Sequence, residues 1–397
     1  MLTKNIKPEI ERALESRKLE FGRMMKEFDK INQSGEFNYS KFWDFTHLLL
    51  KFIYDLSPKS LALIRQHVHH VSAGPYPLFD YDHNNFFGKS AEQLRQTPFI
   101  KKYLELISDI PKQYHYSEPL TDPISQFAAA KIDDKLVARD GLTHQIALTN
   151  LYNLGVFNEL TSKLKRCKIL EIGGGYGSLA YQMNRALKSN VSYVIVDLPS
   201  TLLFSGSFLT VNTRQDEIYF YDPANYSASK LPDIINKYRY ILLPHYRLND
   251  LMSCAPFDLI INMASFMEMT TEQVSNYLDF SHKNENCYFY SQNHSSPHAA
   301  IVPLQSERMG NSNSVTSHEL KRTIDEEIGK YFSTFPKIGF YDQQGLSPHK
   351  TRIYLGHSST QDFSKKFINK VMYGFGYKIN GNKLELIDDI LNQREYV

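Results

Sequence analysis

The run from Lys168 to Met183 constrains this chain more than any other. Ile169-Leu170-Glu171-Ile172 has the apolar texture of a short strand. Gly173-Gly174-Gly175-Tyr176-Gly177 follows at once, and Ser178-Leu179-Ala180-Tyr181-Gln182-Met183 continues with helical spacing. A strand that turns through glycines into a helix is the first half of a βαβ unit, which implies a parallel sheet. Glycines at that turn let a ligand approach the backbone, and the free N–H groups of the helix start face it. Three details narrow the ligand. Glu171 interrupts the apolar run near the C-terminal edge of the strand, where a carboxylate needs a partner such as an ammonium group. The spacing is G-x-G-x-G, at Gly173, Gly175 and Gly177, whereas a dinucleotide fingerprint would need Gly or Ala at Ser178. Asp197 ends the next strand, Tyr193 to Asp197, twenty residues after Gly177, where an acid can accept both hydroxyls of a ribose.

The texture around this unit is α/β. Strand-like runs at 168–172, 192–197, 238–243, 257–262 and 287–292 alternate with helical stretches. Two more, 332–341 and 351–356, are separated only by a turn at Gln343-Gln344-Gly345 and read as an antiparallel hairpin at one side of the sheet. The predicted fold is therefore α/β: a Rossmann-like, mostly parallel seven-stranded sheet with an antiparallel C-terminal hairpin, plus an N-terminal helical region.

That N-terminal region carries helical spacing over its first thirty or so residues (Ile10, Leu14, Phe21, Met24, Phe28) and again over 42–54. Ser57-Pro58 reads as an N-cap and first helical position. Gly74, Pro75 and Pro77 mark a loop, residues 90–116 return to helix with Pro98 and Pro111 as punctuation, and 125–140 suggests a short hairpin around Asp133-Asp134. Thr143 to Phe157 reads as one helix. The expected division is a helical cap, acceptor or oligomerisation region at 1–140, the sheet domain at 141–360 and a helical extension at 361–397.

Composition excludes several classes. A net charge of +2 over 397 residues gives no reason to expect a nucleic-acid partner. Cys167, Cys254 and Cys287 are far apart and form no CxxC pair, which speaks against zinc, iron–sulfur and disulfide frameworks and suits a reducing compartment. No apolar run approaches the roughly 20 residues that span a bilayer, and the charged start has no signal-peptide core. The expectation is a soluble, cytoplasmic protein. The 26 Tyr and 25 Phe suit a packed core first; some of the rings could instead line a carbohydrate or nucleobase pocket, and composition does not separate the two. His67-Val68-His69-His70 puts its imidazoles on different helix faces, so no metal is expected there.

Glu171 to Gly177 with Asp197 resembles the class I S-adenosylmethionine (SAM)-dependent methyltransferases. The resemblance covers about residues 165–295. It implies SAM as cofactor, with Glu171 near the methionine amino end, Gly173, Gly174, Gly175 and Gly177 against the methionine and ribose, and Asp197 on the ribose. Leu198, His245, Asn262 and Met263, at the ends of the following strands, complete the implied cofactor set, with His245 flanking the adenine. A closer resemblance is to sugar O-methyltransferases of bacterial surface-polysaccharide clusters. It rests on Val196-Asp197-Leu198-Pro199, on Leu243-Pro244-His245 and on Phe257 to Met269 with its S-F-x-E-M turn. This implies methylation of a hydroxyl on a sugar or glycan acceptor in capsule, O-antigen or nucleotide-sugar biosynthesis.

Transfer to a sugar hydroxyl needs the oxygen held in line with the methyl and is helped by a general base. His294, after the strand at 287–292, and Glu268, after the strand at 257–262, are the two catalytic candidates; His298 and His245 are weaker ones. Arg308 and Lys321 could attract a phosphate. Other readings stay open: an NAD-dependent oxidoreductase, a phenolic or polyketide O-methyltransferase, and a non-catalytic SAM-fold subunit. The N-terminal helices either cap the acceptor site or build a homodimer.

Overall fold

In the computed structural model of the chain the described residues are 6–33, 43, 51–67, 90–120, 129–188, 190–284 and 287–294, with strands at 338–341, 351–357, 377–380 and 383–386. Helix α1, Pro8–Asn32, starts at a proline in its first turn and buries Leu14, Phe21, Met24 and Phe28 along one stripe. Ser57 caps α2, Pro58–Leu61, accepting from the Ser60 N–H at 3.1 Å, as its position before Pro58 predicts. Helix α3, Ile64–His67, follows directly. Reciprocal Ser90/Gln93 hydrogen bonds start α4, Ala91–Arg95, and Thr97 caps α5, Pro98–Ile107. The hairpin predicted near Asp133-Asp134 forms from β1, Ala130–Ile132, and β2, Lys135–Val137, with Asp133 in the left-handed region at φ 53°. The loop at 73–82, most of the stretch at 42–54, and the histidines at 69 and 70 lie outside the described residues.

The helix expected over 143–157 is in fact two. Helix α6 runs Arg139–Asn153 and α7 runs Val156–Ser162, parted by Gly155 at φ 78°. A left-handed glycine ends one helix and starts the next, and apolar periodicity alone does not reveal that break.

The sheet then assembles in chain order. Its strands are β3 Cys167–Ile172, β4 Val191–Asp197, β5 Ile218–Phe220, β6 Tyr240–Pro244, β7 Leu259–Met263, β8 Tyr288–His294, β9 Ile338–Tyr341 and β10 Thr351–His357. Their spatial order is β5-β6-β4-β3-β7-β8-β10-β9. All neighbours from β5 to β8 are parallel, and β10 runs antiparallel to both β8 and β9. This is the expected Rossmann-like sheet with its hairpin at one side. It carries eight strands rather than seven because β5 pairs outside β6.

Helices α8 (Ser178–Ala186), α9 (Pro199–Asn212), α10 (Leu231–Lys237) and α11 (Thr271–His282) link successive strands. Every residue of β4, β6 and β7 is buried, as befits strands covered on both faces. Pro199 to Thr210 of α9 is also buried throughout. Helix α1 packs along α9, so α9 lies between the sheet and the N-terminal helix. Most of the buried apolar side chains, from Leu14 of α1 to Tyr290 of β8, form one continuous cluster.

The extension at 361–397, expected to be helical, contains a hairpin of β11, Tyr377–Asn380, and β12, Lys383–Leu386. Asn380 pairs with Lys383, so only Gly381-Asn382 connects the strands, and a two-residue Gly-Asn link is a hairpin signal. Among the described residues no helix is long and apolar enough to cross a membrane.

Candidate functional site

From β3 the chain builds outward to β4 and β6 on one side, then crosses back to add β7 and β8 on the other. Such a reversal leaves a crevice at the C-terminal ends of β3 and β7, where open α/β sheets take ligands. Register places Ile172 beside both Val196 and Asn262, Asp197 beside Pro244, and Met263 beside Gln292. Glu171, the glycine loop, Asp197, Leu198, His245, Asn262, Met263 and His294 therefore converge on one edge, although they span more than a hundred residues of sequence.

The loop is fixed by its glycines. Gly173, Gly175 and Gly177 have φ of 74°, 55° and 84°, a region that side-chain-bearing residues rarely adopt. The G-x-G-x-G spacing is thus the trace of three left-handed positions. They differ in what surrounds them. A Cβ on Gly173 would stand 2.3 Å from Ser265 Oγ, so the loop and the turn after β7 touch there. A Cβ on Gly175 would meet nothing within 4 Å, so this glycine presents bare backbone to open space. Gly177 starts α8, and its N–H donates to the Gly174 carbonyl at 3.0 Å.

Two carboxylates flank the loop, both buried. Glu171 accepts from the Tyr193 hydroxyl at 3.0 Å and packs against Gly174, where a Cβ would stand 3.1 Å from its Oε2. Burial pushes its pKa up to about 8, against the Tyr193 hydrogen bond and with help from Asp197. Asp197 Oδ2 accepts from the Gly175 N–H at 2.9 Å and Oδ1 from the Leu198 N–H at 2.7 Å. Burial raises this group less, to about 6, because the Leu198 and Gly175 N–H groups and the Thr201 hydroxyl favour the charged form.

The turn after β7 is a buried polar knot. Asn262 Nδ2 donates to the Ile172 carbonyl at 3.0 Å and to Ser265 Oγ, and Ser265 Oγ donates to the same carbonyl at 3.1 Å. Ala264, just after Met263, sits at φ 54°, a strained setting for alanine. Glu268 is buried at the end of the 3-10 turn Phe266–Glu268. His294 ends β8, its backbone paired with Thr351. His298, Arg308 and Lys321 lie outside the described residues.

Two N-terminal contacts reach this edge. At the β6 end, Phe28 of α1 lies edge-on to His245 with ring centres 5.4 Å apart. Glu27 accepts from the Tyr221 and Tyr246 hydroxyls at 2.7 and 2.9 Å and from Arg247 at 2.7 Å. At the glycine loop, the Arg65 guanidinium of α3 lies 3.5 Å over the Tyr176 ring. The Tyr116 hydroxyl donates to Glu118 and meets Ser178 Oγ, each at 2.7 Å, and His144 stacks on Tyr116.

The sequence reading missed Tyr193, Ala264, Asn293 and this Arg65–Tyr176–Tyr116 group. Only pattern breaks could have flagged them, such as a tyrosine in the otherwise aliphatic strand beside Glu171, two residues before its register partner Ile195. Among the described residues no group of three or more His, Cys, Asp or Glu side chains is disposed to hold a metal.

No protein-family model and no curated protein sequence matches the chain. Solved structures do. Human N-acetylserotonin methyltransferase in complex with SAM is 12% identical over 64% of this chain, with a TM-score of 0.29, and the match spans only 62% of that enzyme. An O-methyltransferase family protein from Burkholderia thailandensis is 11% identical over 67% of this chain and 72% of its own, with a TM-score of 0.32. Magnesium protoporphyrin IX methyltransferase from Synechocystis PCC 6803 with bound S-adenosylhomocysteine (SAH) is 13% identical over 57% and 90%, also with a TM-score of 0.32. This chain is similar to all three at a distance that leaves its activity to be argued from its own crevice.

Proposed function

We propose that the chain is a SAM-dependent O-methyltransferase acting on a sugar hydroxyl, in the cytoplasmic assembly of a bacterial surface polysaccharide or nucleotide sugar. One observation carries the cofactor part: three left-handed glycines at the sheet's reversal, with open space at Gly175, flanked by two buried carboxylates of different character. A buried Glu171 with a raised pKa suits an ammonium partner, which would restore its charge. Asp197, already aimed by two backbone N–H groups, suits a ribose diol. Leu198, His245, Asn262 and Met263 rim the same crevice. When bound, SAM supplies the electrophilic methyl; the chain's task is to hold an acceptor oxygen in line with it and exclude water. Glu268, after β7, and His294, the last residue of β8, are the two candidate bases on that side of the sheet.

The sugar part rests on the resemblance around Ser265 to Met269, and the N-terminal 140 residues act in this reading as a cap over the acceptor side. A phenolic or polyketide acceptor is favoured by a different observation, the rings of Tyr116, His144 and Tyr176 beside the loop.

Calorimetry with SAM and SAH tests the cofactor. Binding to the purified chain, weakened about tenfold or more in Asp197→Ala by loss of a charged hydrogen-bond acceptor, is the expected result. No binding of either molecule would sink the proposal. Methyl transfer from labelled SAM to a panel of nucleotide sugars and phenols then separates the two acceptor classes.

A further inference from the structure

The hydrogen-bond polarity of the knot beyond Ser265 can be followed outward to Asn293. The Ile172 carbonyl can only accept, so the amide edge of Asn262 that meets it must be Nδ2. Asn262 Oδ1 therefore faces the other way and needs a donor, which is Asn293 Nδ2 at 2.8 Å. The same Nδ2 also donates to Ser291 Oγ at 2.8 Å. This fixes the second amide too. Asn293 Oδ1 must point away from the knot as an acceptor, and it is buried with no hydrogen-bond partner among the described residues. Asn293 itself is 3% exposed. It stands one residue past Gln292, which pairs with the last residue of β7, so it lies at the same C-terminal edge of the sheet as the glycine loop.

A buried carbonyl oxygen without a donor is costly to leave unmet, so it marks a place where a donor arrives. Resting on the methyltransferase reading above, we propose that Asn293 Oδ1 accepts a hydrogen bond from the hydroxyl that receives the methyl group. The site then selects a protic nucleophile and disfavours a carbon or thioether one. In the transfer a lone pair of that oxygen forms the new O–C bond and the C–S bond breaks with its electron pair going to sulfur; the hydroxyl's single proton stays on the methylated oxygen, held against Asn293 Oδ1, until that bond has formed, and is then lost to the general base. Asn293 takes no proton. It aims the oxygen and stabilises the positive charge that grows on it, an interaction stronger in the transition state than before it.

Sinefungin tests this without knowledge of the acceptor, because it carries an amine where SAM carries the transferred methyl. Its affinity relative to SAH reports on a donor placed at that point. The expected ratio favours sinefungin in the wild type, falls about tenfold or more in Asn293→Leu through loss of a bond to a charged donor, and is kept or raised in Asn293→Asp. SAH affinity and melting temperature monitor folding. A ratio that is the same in Asn293→Leu and the wild type would overturn the assignment, as would a fall in Asn293→Asp; either would mark a structural water or a packing role. If Asn293→Leu does not fold, Asn293→Asp alone decides. Failure of the wild type to bind SAH would overturn the methyltransferase reading, and this inference with it, which distinguishes the two failures.

Discussion

Glu171 is a carboxylic acid held where its charge is disfavoured, and that has a sign that can be measured. Its pKa is raised from an ordinary 4.5 to about 8, chiefly by burial. A raised folded-state pKa means its contribution to stability is complete below about pH 4.5 and is lost as pH rises toward 8. Binding a molecule with an ammonium group beside it pulls the pKa back down, so binding releases a proton below pH 8. SAH affinity should therefore climb between about pH 6 and 8 and level off above, with a matching proton release seen by calorimetry in buffers of different ionisation heat. Glu171→Gln should flatten that limb and leave an inflection near pH 6 from Asp197. 5′-Methylthioadenosine, which lacks the amino-acid part, should show no such limb. A flat SAH profile in the wild type between pH 6 and 8 would contradict placing the amino end at Glu171.

At the scale of elements, helix α1 ties down the segments that follow β5 and β6. Glu27 holds two phenols and the Arg247 guanidinium at once, while Arg23 forms a two-pronged pair with Asp222 at 2.7 and 2.9 Å. Replacing Glu27 by Ala removes one carboxylate that these three partners share, while Arg247 keeps Tyr221 and Asp250. The site is partly exposed, so the expected loss is about 1–2 kcal/mol in denaturant unfolding. SAH should also bind more weakly, because His245 lies in the segment after β6; an unchanged SAH Kd would detach α1 from the cofactor crevice. None of this was legible in the sequence, since Glu27 and Tyr246 are linked only once the sheet exists. What was legible had a local cause. The strand–glycine–helix unit announced itself because three left-handed positions admit little but glycine. The Ser57 and Asp133 turns were visible through capping and turn chemistry. Strand β5 was missed because three residues are too short to show alternation. The split at Gly155 was masked by unbroken apolar spacing, and the hairpin at 377–386 was overlooked although Gly381-Asn382 gave the signal. In the candidate site the placement of Glu171, the glycines and Asp197 at the C-terminal ends of neighbouring strands was legible in the sequence, whereas Asn293 was not, because its meaning comes from a chain of bonds between three strands.

At the scale of the whole molecule, the helical N-terminal region and the sheet share one core rather than two. Helix α9 is buried from Pro199 to Thr210 because the sheet covers one side and α1 covers another, and Leu14, Met24 and the strand residues belong to the same cluster. A helix whose apolar stripe closes a neighbour's exposed face cannot leave without uncovering that face to water, at roughly 25 cal/mol per Å². Opening α1 should therefore be coupled to opening of the sheet. Hydrogen exchange can read this coupling. At SAH a hundredfold above its Kd, linkage adds about 2.7 kcal/mol to the global opening free energy. If α1 belongs to the same cooperative unit, amides around Met24 and Phe28 should slow by about a hundredfold, together with those of β3 and β4. Protection that rises in β3 and β4 but not in α1 would show the N-terminal helix to be an independent unit, and its contacts with His245 and Tyr246 would then be too transient to shape the crevice.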